Sequence, residues 1–547
     1  MALIKTLQLW AQARTGKIKY AIPIIVAAAI LACSAVFWWK YTIDDTYIAL
    51  RYSHHVAAGN GPVFNIGENV EGYSCPMWVF FLGFVEWIGL DPVFVAKAVG
   101  VFCAIALVVL LHTVLRRSFG DPFIAGTITL GFAVLPGLHA YFCSGMETLS
   151  FALAIALTVS IPGLIASKTI KAFLMPMGLI AVATLRPEGL LLCVLLFMLW
   201  FITEKNIRIR IGLVLMVVVL LFLLALRYSY YGSLLPNTYF AKPSPIPHQL
   251  KGMSLLRGIV FEVDRFLSNE TLRPVLDRLG GIGLLFFVIL ALPGRTRYPV
   301  ILPSVASVLA GIVFLFYAPP DWMPADRFAF PFVFPLCILA GAGLHAFRRQ
   351  VPDVAFRAFR IVFLLLLCCW SLFNVRDIFF LSRSIKHGWN NAALNGKKYS
   401  DIGDWLRENS RVTDRVLAYE IGAIGYSSRL RVIDHEGLID KSIARIIQKA
   451  GGYVYVRWGF DMEAMEKVVR YCVNQKPEWF LVRSNTSIPL TLAQPVPWEA
   501  ANETIQKTLL REFGDKMVLA KIFVMKPDDG FTRDVYLLLR RQSNGLL

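Results

Sequence analysis

Residues 22–55 read IPIIVAAAILACSAVFWWKYTIDDTYIALRYSHH, and the change of composition inside this stretch decides the fold prediction. The first part, residues 22–39, is apolar, and its length suits a membrane span, which needs about 20 apolar residues. Polar residues follow directly, with adjacent carboxylates at Asp44 and Asp45. Basic residues precede the apolar run and no small-residue cleavage site follows it. We therefore predict an uncleaved span whose N-terminus lies in the cytoplasm.

The rest of the chain has the same apolar character. Of its 547 residues, 56% are hydrophobic and 17% are charged, whereas soluble domains average about 45–50% and about 25%. Many of the Lys and Arg residues behind the net charge of +18 lie in clusters between apolar runs. This pattern is typical of membrane topology and argues against nucleic-acid binding. The nine cysteines show neither zinc-ligand spacing nor a disulfide framework.

Apolar runs predict eleven membrane spans. They cover residues 22–39, 93–115, 122–142, 149–165, 173–185, 190–202, 211–231, 282–292, 300–317, 328–347 and 361–380. The run at 76–90 is short for a crossing, so we predict a helix lying in or dipping into the outer membrane surface. With the N-terminus inside, the basic clusters at 116–117, 168–171, 205–210, 295–297 and 348–349 all fall on the inner side, as the positive-inside rule requires.

From about residue 386, short apolar strands alternate with amphipathic helical stretches. The predicted strands are 416–419, 479–482 and 535–539, and the predicted helices include 399–408 and 462–472. We therefore predict an α-helical polytopic membrane protein with a C-terminal soluble α/β periplasmic domain. The transmembrane catalytic domain covers 1–384, including a first periplasmic loop at 41–92, and the C-terminal domain covers 385–547.

Five groups of polar residues fall in the predicted outward loops. They are 41–73, 144–148, 186–189, 235–242 and 321–327. Within the first group, one carboxylate of the Asp44–Asp45 pair could take a proton from an acceptor hydroxyl while the other binds a cation or holds the geometry. Repulsion between them raises one pKa, which favours a base. Two solvated acids at a helix end are the alternative.

The other candidates also have structural alternatives. Arg186 and Glu188 could shape a site or form an internal ion pair. Arg327 and Lys242 could bind a lipid phosphate or anchor the chain at the interface. The histidines at 54–55 favour a metal only weakly, because adjacent side chains usually point apart. Several aromatic residues could stack on sugar rings or form an interfacial belt; they are Tyr73, Trp78, Tyr239 and Trp322.

No Walker loop, dinucleotide-binding glycine motif or GxSxG elbow is present in the sequence. An enzyme facing outward would therefore take its donor from the membrane. The motifs IDDTYIALRYSHHVAAGNGPVFNIGENVEGYSCPMW (43–78), SGMET (144–148), RPEG (186–189), LPNTYFAK (235–242), DWMPADRF (321–328) and GLIDKSIAR (437–445) carry a resemblance. The chain resembles the GT-C superfamily of polyprenyl-phosphate-sugar glycosyltransferases. Within it, the chain is similar to bacterial arabinofuranosyltransferases typified by the mycobacterial terminal β-enzyme.

The resemblance implies transfer of D-arabinofuranose from a polyprenyl-phosphate donor to a cell-envelope glycan or protein, in the bacterial inner membrane with the active site facing the periplasm. It implies contacts with membrane lipids and a donor phosphate held by basic groups and sometimes by a divalent cation such as Mg, Mn or Ca; no contact with nucleic acid is expected. A GT-C enzyme that uses mannose or another sugar, and a transporter or flippase for lipid-linked sugars, are the alternatives.

We expect specific roles for the residues of these motifs. Asp44 would be the base, and Asp45 would support it or bind the cation. The expected donor-binding residues are Arg51, Glu147, Arg186, Glu188, Asn237, Tyr239, Lys242, Asp321, Trp322 and Arg327. The expected acceptor-binding residues are Glu71, Tyr73 and His435.

Overall fold

The structure is a computed structural model that describes most of the chain. The described residues are 21–242, 298–317, 323, 325–387, 396–452, 456–457, 459–484, 492–497, 499, 501, 503–525 and 534–542. They form two compact units. Unit 1 contains residues 21–40, 96–222 and the described part of 298–381. Unit 2 contains residues 41–95, 223–242 and the described part of 382–542. The predicted domain boundary at 384–385 stays a prediction.

Unit 1 is helical throughout its described residues. Its helices are α1 (Ala21–Trp38), α4 (Pro92–Phe119), α5 (Pro122–Ala133), α6 (Pro136–Phe142), α7 (Thr148–Leu164), α8 (Lys168–Leu185), α9 (Glu188–Thr203), most of α10 (Ile207–Tyr231), α12 (Ile301–Tyr317), α13 (Val333–Gln350) and α14 (Asp353–His387). The start of α4, the last turns of α10 and the end of α14 from residue 382 belong to unit 2. A short 3₁₀ helix, Phe330–Phe332, leads into α13.

The sequence explains several of these helix ends. Proline stands at the first position of α5 and α6, where its missing N–H has no intrahelical partner to lose. The side chain of Asp121 caps α5 by accepting from the N–H of Phe123. Pro136 starts a new helix after a break, so α5 and α6 together form one apolar segment bent by 54°. A bent pair of this kind is either a broken span or a re-entrant loop.

The predicted spans agree with these helices over the described residues. Six helices are long and apolar enough to cross a membrane, and the bent pair raises the number to seven. The spans predicted at 149–165, 190–202 and 300–317 coincide with shorter apolar helices. The span predicted at 282–292 lies outside the described residues. The chain is therefore a multi-pass membrane protein, as the sequence predicts.

Unit 2 combines the first loop with the C-terminal region. Its helices are α2 (Asp44–Ala57), α3 (Pro76–Trp87), α11 (Asn237–Ala241), α15 (Gly396–Asn409), α16 (Gly422–Ser428), α17 (Lys441–Lys449), α18 (Met462–Asn474) and α19 (Thr504–Phe513). The helix predicted from the 76–90 run is α3, which packs on α2 where Ser53 donates to the carbonyl of Val79. The other side of α3 leaves Phe84 and Trp87 exposed, which suits a membrane surface.

A five-stranded mixed sheet forms the centre of unit 2. Its strands are β1 (Arg415–Ala418), β2 (Arg431–Asp434), β3 (Trp479–Ser484), β4 (Met517–Met525) and β5 (Asp534–Arg541). The order is β2–β1–β3–β5–β4. Strand β1 pairs in parallel with β2 and β3, whereas β5 pairs antiparallel with β3 and β4. The prediction of a C-terminal α/β region is confirmed; β2 and β4 were not predicted.

The core of this sheet is apolar on its helix-covered face. Leu417, Phe480 and Leu537 from three strands pack with Ile443 of α17 and Val468 of α18. These residues are essentially fully buried. The carboxyl ends of β1 and β2 lie side by side, because Ala418 is paired with Asp434 in the parallel register. Residues that follow these two strands are therefore brought together.

Candidate active site

The predicted base, Asp44, lies in the first turn of α2, and only 2% of the residue is exposed. The backbone N–H of Gly422 donates to Oδ2 at 3.1 Å, and that of Ala423 donates to Oδ1 at 2.8 Å. Both donors stand at the start of α16, directly after the loop that follows β1. The C-terminal part of unit 2 therefore fixes both oxygens of this carboxylate.

The surroundings of Asp44 favour its neutral form more than water would. Burial raises the pKa of the Asp44 carboxyl to about 7; the charge of Asp45 acts in the same direction, and the amides of Ala423 and Gly422 oppose the shift. Burial, and then the charge of Asp44, also raise the pKa of Glu420 well above the usual range. A carboxyl with a pKa near 7 is suited to accept a proton at neutral pH.

Asp45 stays beside this carboxylate but is less buried. Among the described residues, no group of three or more His, Cys, Asp or Glu side chains is arranged to hold a metal ion. His54 bonds Glu86 at 2.6 Å, and His55 bonds the carbonyl of Val63 at 2.8 Å, so each ring has a protein partner of its own. The cation role of Asp45 stays a prediction.

Arg51 occupies a different place from the one expected for a phosphate ligand. Its Nε donates to the carbonyl of Phe64 at 2.7 Å and its Nη2 to that of Leu430 at 2.6 Å, while Nη1 donates to Gly425. Only 3% of the residue is exposed. All three nitrogens thus hold backbone carbonyls of the first loop and the C-terminal region. This geometry favours a structural role for Arg51 over the predicted contact with a donor phosphate.

Glu71, Tyr73 and Asn237 are also engaged in contacts within unit 2. Arg227 donates to Glu71 through Nε at 2.6 Å and Nη2 at 2.8 Å, and burial raises the pKa of Glu71 while this guanidinium opposes the shift. The hydroxyl of Tyr73 meets that of Tyr231 at 3.1 Å. The side-chain amide of Asn237 donates to the carbonyls of Gly437, Leu438 and Asp440. These three expected ligand-binding residues therefore help to hold the first loop and the 235–242 segment together.

Tyr239 and Lys242 are exposed residues of the same unit, and their predicted roles in donor binding stay predictions. Asp321 and Trp322 lie outside the described residues. Their predicted roles in donor binding stay predictions.

The expected acceptor residue His435 follows β2 and is buried. Its ring stacks on Tyr419, with 5.9 Å between ring centroids. Burial, followed by the charge of Arg457, lowers the pKa of His435 to about 3. The imidazole is therefore neutral at physiological pH.

Four charged side chains that the sequence analysis missed surround this pair of rings. Arg457 donates to the Tyr419 hydroxyl at 2.6 Å and pairs with Glu436 at 3.5 Å and with Glu503. Burial raises the pKa of Glu436 to about 8, although Arg457 opposes the shift; Asp45 is among the charges that add to it. Glu420 and Glu436 each stand two residues beyond a parallel strand, and only the strand register brings them together.

Unit 1 contains a second group of predicted site residues. Arg186 donates through Nη1 to Glu147 at 2.6 Å and through Nε to Glu188, and all three side chains are buried. Its guanidinium lies 5.4 Å from the ring centroid of Phe328, and that of Arg327 lies 4.8 Å from the same centroid. The structure thus brings Glu147, Arg186, Glu188 and Arg327 together, as the sequence suggested. Their ligand-binding roles stay predictions.

The segment before Arg327 has an unusual backbone. Ala325 and Asp326 have φ angles of 62° and 54°, in the left-handed region that non-glycine residues seldom adopt. Opposite them, a Cβ added to Gly137 would lie 3.0 Å from the carbonyl oxygen of Ala325. Glycine at 137 therefore allows this strained turn to approach α6 closely. Such strain is often stored at functional sites.

The apolar helices and the mixed sheet define the chain as a multi-pass membrane protein with the GT-C fold and a C-terminal α/β region. Comparison with solved structures supports the assignment of the fold. The crystal structure of ArnT from Cupriavidus metallidurans bound to undecaprenyl phosphate matches with a TM-score of 0.50 over 96% of this chain and 98% of that chain. Its 13% sequence identity makes this a likeness of fold.

Sequence comparison gives more specific relatives. The chain is 26% identical over 258 residues to the terminal β-(1→2)-arabinofuranosyltransferase of Mycobacterium tuberculosis, covering 41% of this chain and 39% of that protein. It is 31% identical over 129 residues to the protein of the same name from Corynebacterium glutamicum, covering 22% of this chain and 18% of that protein. The matched regions thus span well under two thirds of these relatives' lengths. The resemblance stated from the motifs is confirmed.

A family model also matches part of the C-terminal region. Residues 388–530 match a domain of unknown function, DUF8728. This range begins just after α14 and contains β1 to β4. It includes Glu420, Glu436 and Glu503, so the acidic residues that the sequence analysis missed lie within a recognised domain.

Proposed function

We propose that this protein is a membrane glycosyltransferase that moves D-arabinofuranose from a polyprenyl-phosphate donor to a cell-envelope acceptor on the periplasmic side. The observation that carries the proposal is the buried Asp44 carboxylate, fixed by two backbone amides and with a pKa raised to about 7. The GT-C fold and the names of the sequence relatives support the reaction class and the sugar.

In the proposed reaction, Asp44 accepts the proton of an acceptor hydroxyl as its oxygen attacks the anomeric carbon of the sugar. The bond between that carbon and the phosphate oxygen breaks, and polyprenyl phosphate leaves with the electron pair. General-base catalysis of this kind contributes about 10²–10⁴-fold to a rate. The amides of Gly422 and Ala423 hold the carboxylate in place, so the base needs no reorganisation when it accepts the proton.

Basic residues outside this carboxylate group are the candidates for the donor phosphate. Lys242 is an exposed residue of unit 2, and Arg327 has its guanidinium in unit 1. In the same unit, the buried Glu147–Arg186–Glu188 group offers carboxylate oxygens that would accept hydrogen bonds from sugar hydroxyls. We assign these residues to donor binding as part of the proposal.

Reconstitution with defined substrates tests the proposal. Purified protein in lipid nanodiscs would be mixed with synthetic polyprenyl-phosphate D-arabinofuranose and an arabinofuranosyl oligosaccharide, and products would be identified by mass spectrometry. We expect one added pentose and release of polyprenyl phosphate. The matched mannose donor serves as the control for sugar identity. Movement of the donor lipid from one leaflet of a vesicle membrane to the other, without a new glycosidic bond, would instead indicate a flippase.

Gly422 offers a test of how closely the base must be placed. A Cβ added to Gly422 would lie 2.5 Å from Asp44 Oδ2, so Gly422→Ala must displace the carboxylate. We expect the transfer rate to fall by about 10-fold or more, because a misplacement of 1 Å can reduce catalysis by about 10²-fold. Steady-state kinetics of the purified variant would measure the loss.

Gly126→Ala is the milder control, because its added methyl would lie 3.2 Å from a side-chain atom of Pro23, its nearest neighbour outside its own helix. It should retain most of the activity. A Gly422→Ala enzyme with an unchanged rate would mean that the position of Asp44 does not limit transfer.

A further inference from the structure

The carboxyl edge of the C-terminal sheet carries a cluster of side chains that the proposed transfer chemistry does not use. Tyr419 follows β1, Glu436 follows β2, and Glu503 precedes α19. Arg457 joins all three by donating to the Tyr419 hydroxyl, to Glu436 and to Glu503. Ligands of open α/β sheets bind at this edge, where the strand order reverses. Here the order β2–β1–β3 places the reversal beside β1.

Two buried polar atoms in this cluster have no hydrogen-bond partner among the described residues. Glu503 is 4% exposed, and its Oε2 is unpaired although its Oε1 bonds Arg457. His435 is 2% exposed, and its Nε2 is unpaired while its ring stacks on Tyr419. Buried polar atoms are nearly always paired in folded proteins. A hydroxyl group bound in this cluster would supply the missing partners of both atoms.

The charges of the cluster restrict the class of ligand. The carboxyl groups of Glu436 and Glu503 both pair with the single guanidinium of Arg457. An anionic lipid phosphate would have to displace one of these carboxyl groups from the guanidinium. A metal ion lacks a suitable set of three ligands among the described residues. Neutral hydroxyl groups fit, because each can donate to a carboxylate oxygen and accept from a guanidinium or an imidazole N–H.

The cluster lies next to the loop that holds the proposed base, Asp44. Glu420 stands between Tyr419 of the cluster and the loop whose amides, at Gly422 and Ala423, hold the Asp44 carboxylate. The side chains of Glu436 and Arg457 are 16% and 14% exposed, so the cluster reaches the surface at these two residues. A molecule bound there would lie on the same edge of the sheet as the base.

We propose that this edge, formed by Tyr419, His435, Glu436, Arg457 and Glu503, is the acceptor subsite and that it binds a neutral saccharide through its hydroxyl groups. The proposal rests on the proposed function for the identity of the ligand as acceptor. It assigns the acceptor to glycans instead of proteins, and it separates acceptor binding from the binding of the anionic donor.

Binding measured without transfer tests this inference independently of the reaction. Full-length protein in nanodiscs would be titrated with an arabinofuranosyl oligosaccharide, with an oligolysine peptide and with polyprenyl phosphate, each alone. We expect Glu503→Gln and Glu436→Gln to weaken oligosaccharide binding by about 10-fold or more, since the loss of a buried hydrogen-bond acceptor has an effect of that order. Binding of polyprenyl phosphate should change less than about 2-fold.

Glu463→Gln is the matched control, because Glu463 makes an exposed ion pair with Lys467 on α18 of the same unit. Photocrosslinking of the wild-type protein with a diazirine-bearing oligosaccharide adds a measurement that needs no variant. Labelled peptides should include residues 419–436 or Glu503. Labelling confined to other segments would overturn the assignment. So would unchanged oligosaccharide binding in both folded glutamine variants, or binding of oligolysine in place of the saccharide. Transfer without this binding pattern would refute the subsite but not the enzyme.

Discussion

Asp44→Asn is expected to reduce sugar transfer by about 10²–10⁴-fold, the range that a general base contributes. The substitution keeps the shape of the side chain but removes the oxygen charge that accepts the proton. The side-chain NH₂ group of asparagine would also face the backbone N–H of Gly422 or Ala423, so that two donors meet and one hydrogen bond is lost. Initial rates with a synthetic polyprenyl-phosphate arabinofuranose donor would measure the effect.

The pH dependence of the wild-type rate gives a second readout of the same group. Because burial raises the pKa of Asp44 to about 7, the rate should fall as the pH drops below about 7 and the carboxyl becomes protonated. Asp44→Asn should lack this acidic limb. The raised pKa also means that the folded state favours the neutral carboxyl. Its contribution to stability is therefore present at low pH and is lost as the pH rises through about 7.

Two control variants make the assignment of the base specific. Asp404→Asn changes a carboxylate on α15 whose side chain is 46% exposed and pairs with Arg407 at 2.9 Å. It should transfer sugar at the wild-type rate. Asp45→Asn should cause a smaller loss than Asp44→Asn, because Asp45 acts through the charge that it places beside the base. A larger loss in Asp45→Asn would move the role of base to Asp45.

The sequence could predict the acidic pair but not the structure that fixes it. Asp44 and Asp45 are adjacent carboxylates directly after an apolar run, and this pattern is visible in the sequence alone. The amides that bind Asp44 lie 378 and 379 residues further along the chain. No local pattern connects such distant segments, so the burial of Asp44 and its raised pKa follow only from the tertiary fold.

For Arg51, residue type and spacing suggested a role different from the one that the fold favours. A basic residue seven positions after Asp44 looks like a ligand for an anion. In the fold, its three nitrogens donate to the carbonyls of residues 64, 425 and 430. A sequence does not show which backbone carbonyls accept hydrogen bonds from a side chain, because every residue has a backbone carbonyl. The structural role of Arg51 was therefore beyond the reach of residue type and spacing.

The acidic cluster at the sheet edge was missed for a related reason. Strand β2 has only four residues, Arg431–Asp434, and two of them are charged, so its pattern is too short and too polar to identify a strand. Without β2, nothing places His435 and Glu436 beside Tyr419 and Glu420. Long apolar helices such as α4 were predicted well because a membrane span is a strong local signal.

Arg186→Met is expected to destabilise the protein by about 3–5 kcal/mol, the usual effect of removing one partner from a buried ion pair. Arg186 pairs with both Glu147 and Glu188, and all three side chains are at most 8% exposed. Methionine fills a similar volume but removes the guanidinium that pairs with both buried carboxylates. Unfolding of the purified variant in detergent, followed by intrinsic fluorescence, would measure the loss.

Neutralising the two carboxylates should reverse much of this effect. In the triple variant Arg186→Met, Glu147→Gln, Glu188→Gln, no ionised group of the triad remains buried, so we expect most of the lost stability to return. Arg407→Met, which breaks an ion pair with side chains 52% and 46% exposed, should change stability by less than about 1 kcal/mol. If the single Arg186→Met variant were as stable as Arg407→Met, the triad would not contribute to folding. If the triple variant were no more stable than Arg186→Met alone, the loss would come from packing around the guanidinium and the ring of Phe328 and not from unpaired charge.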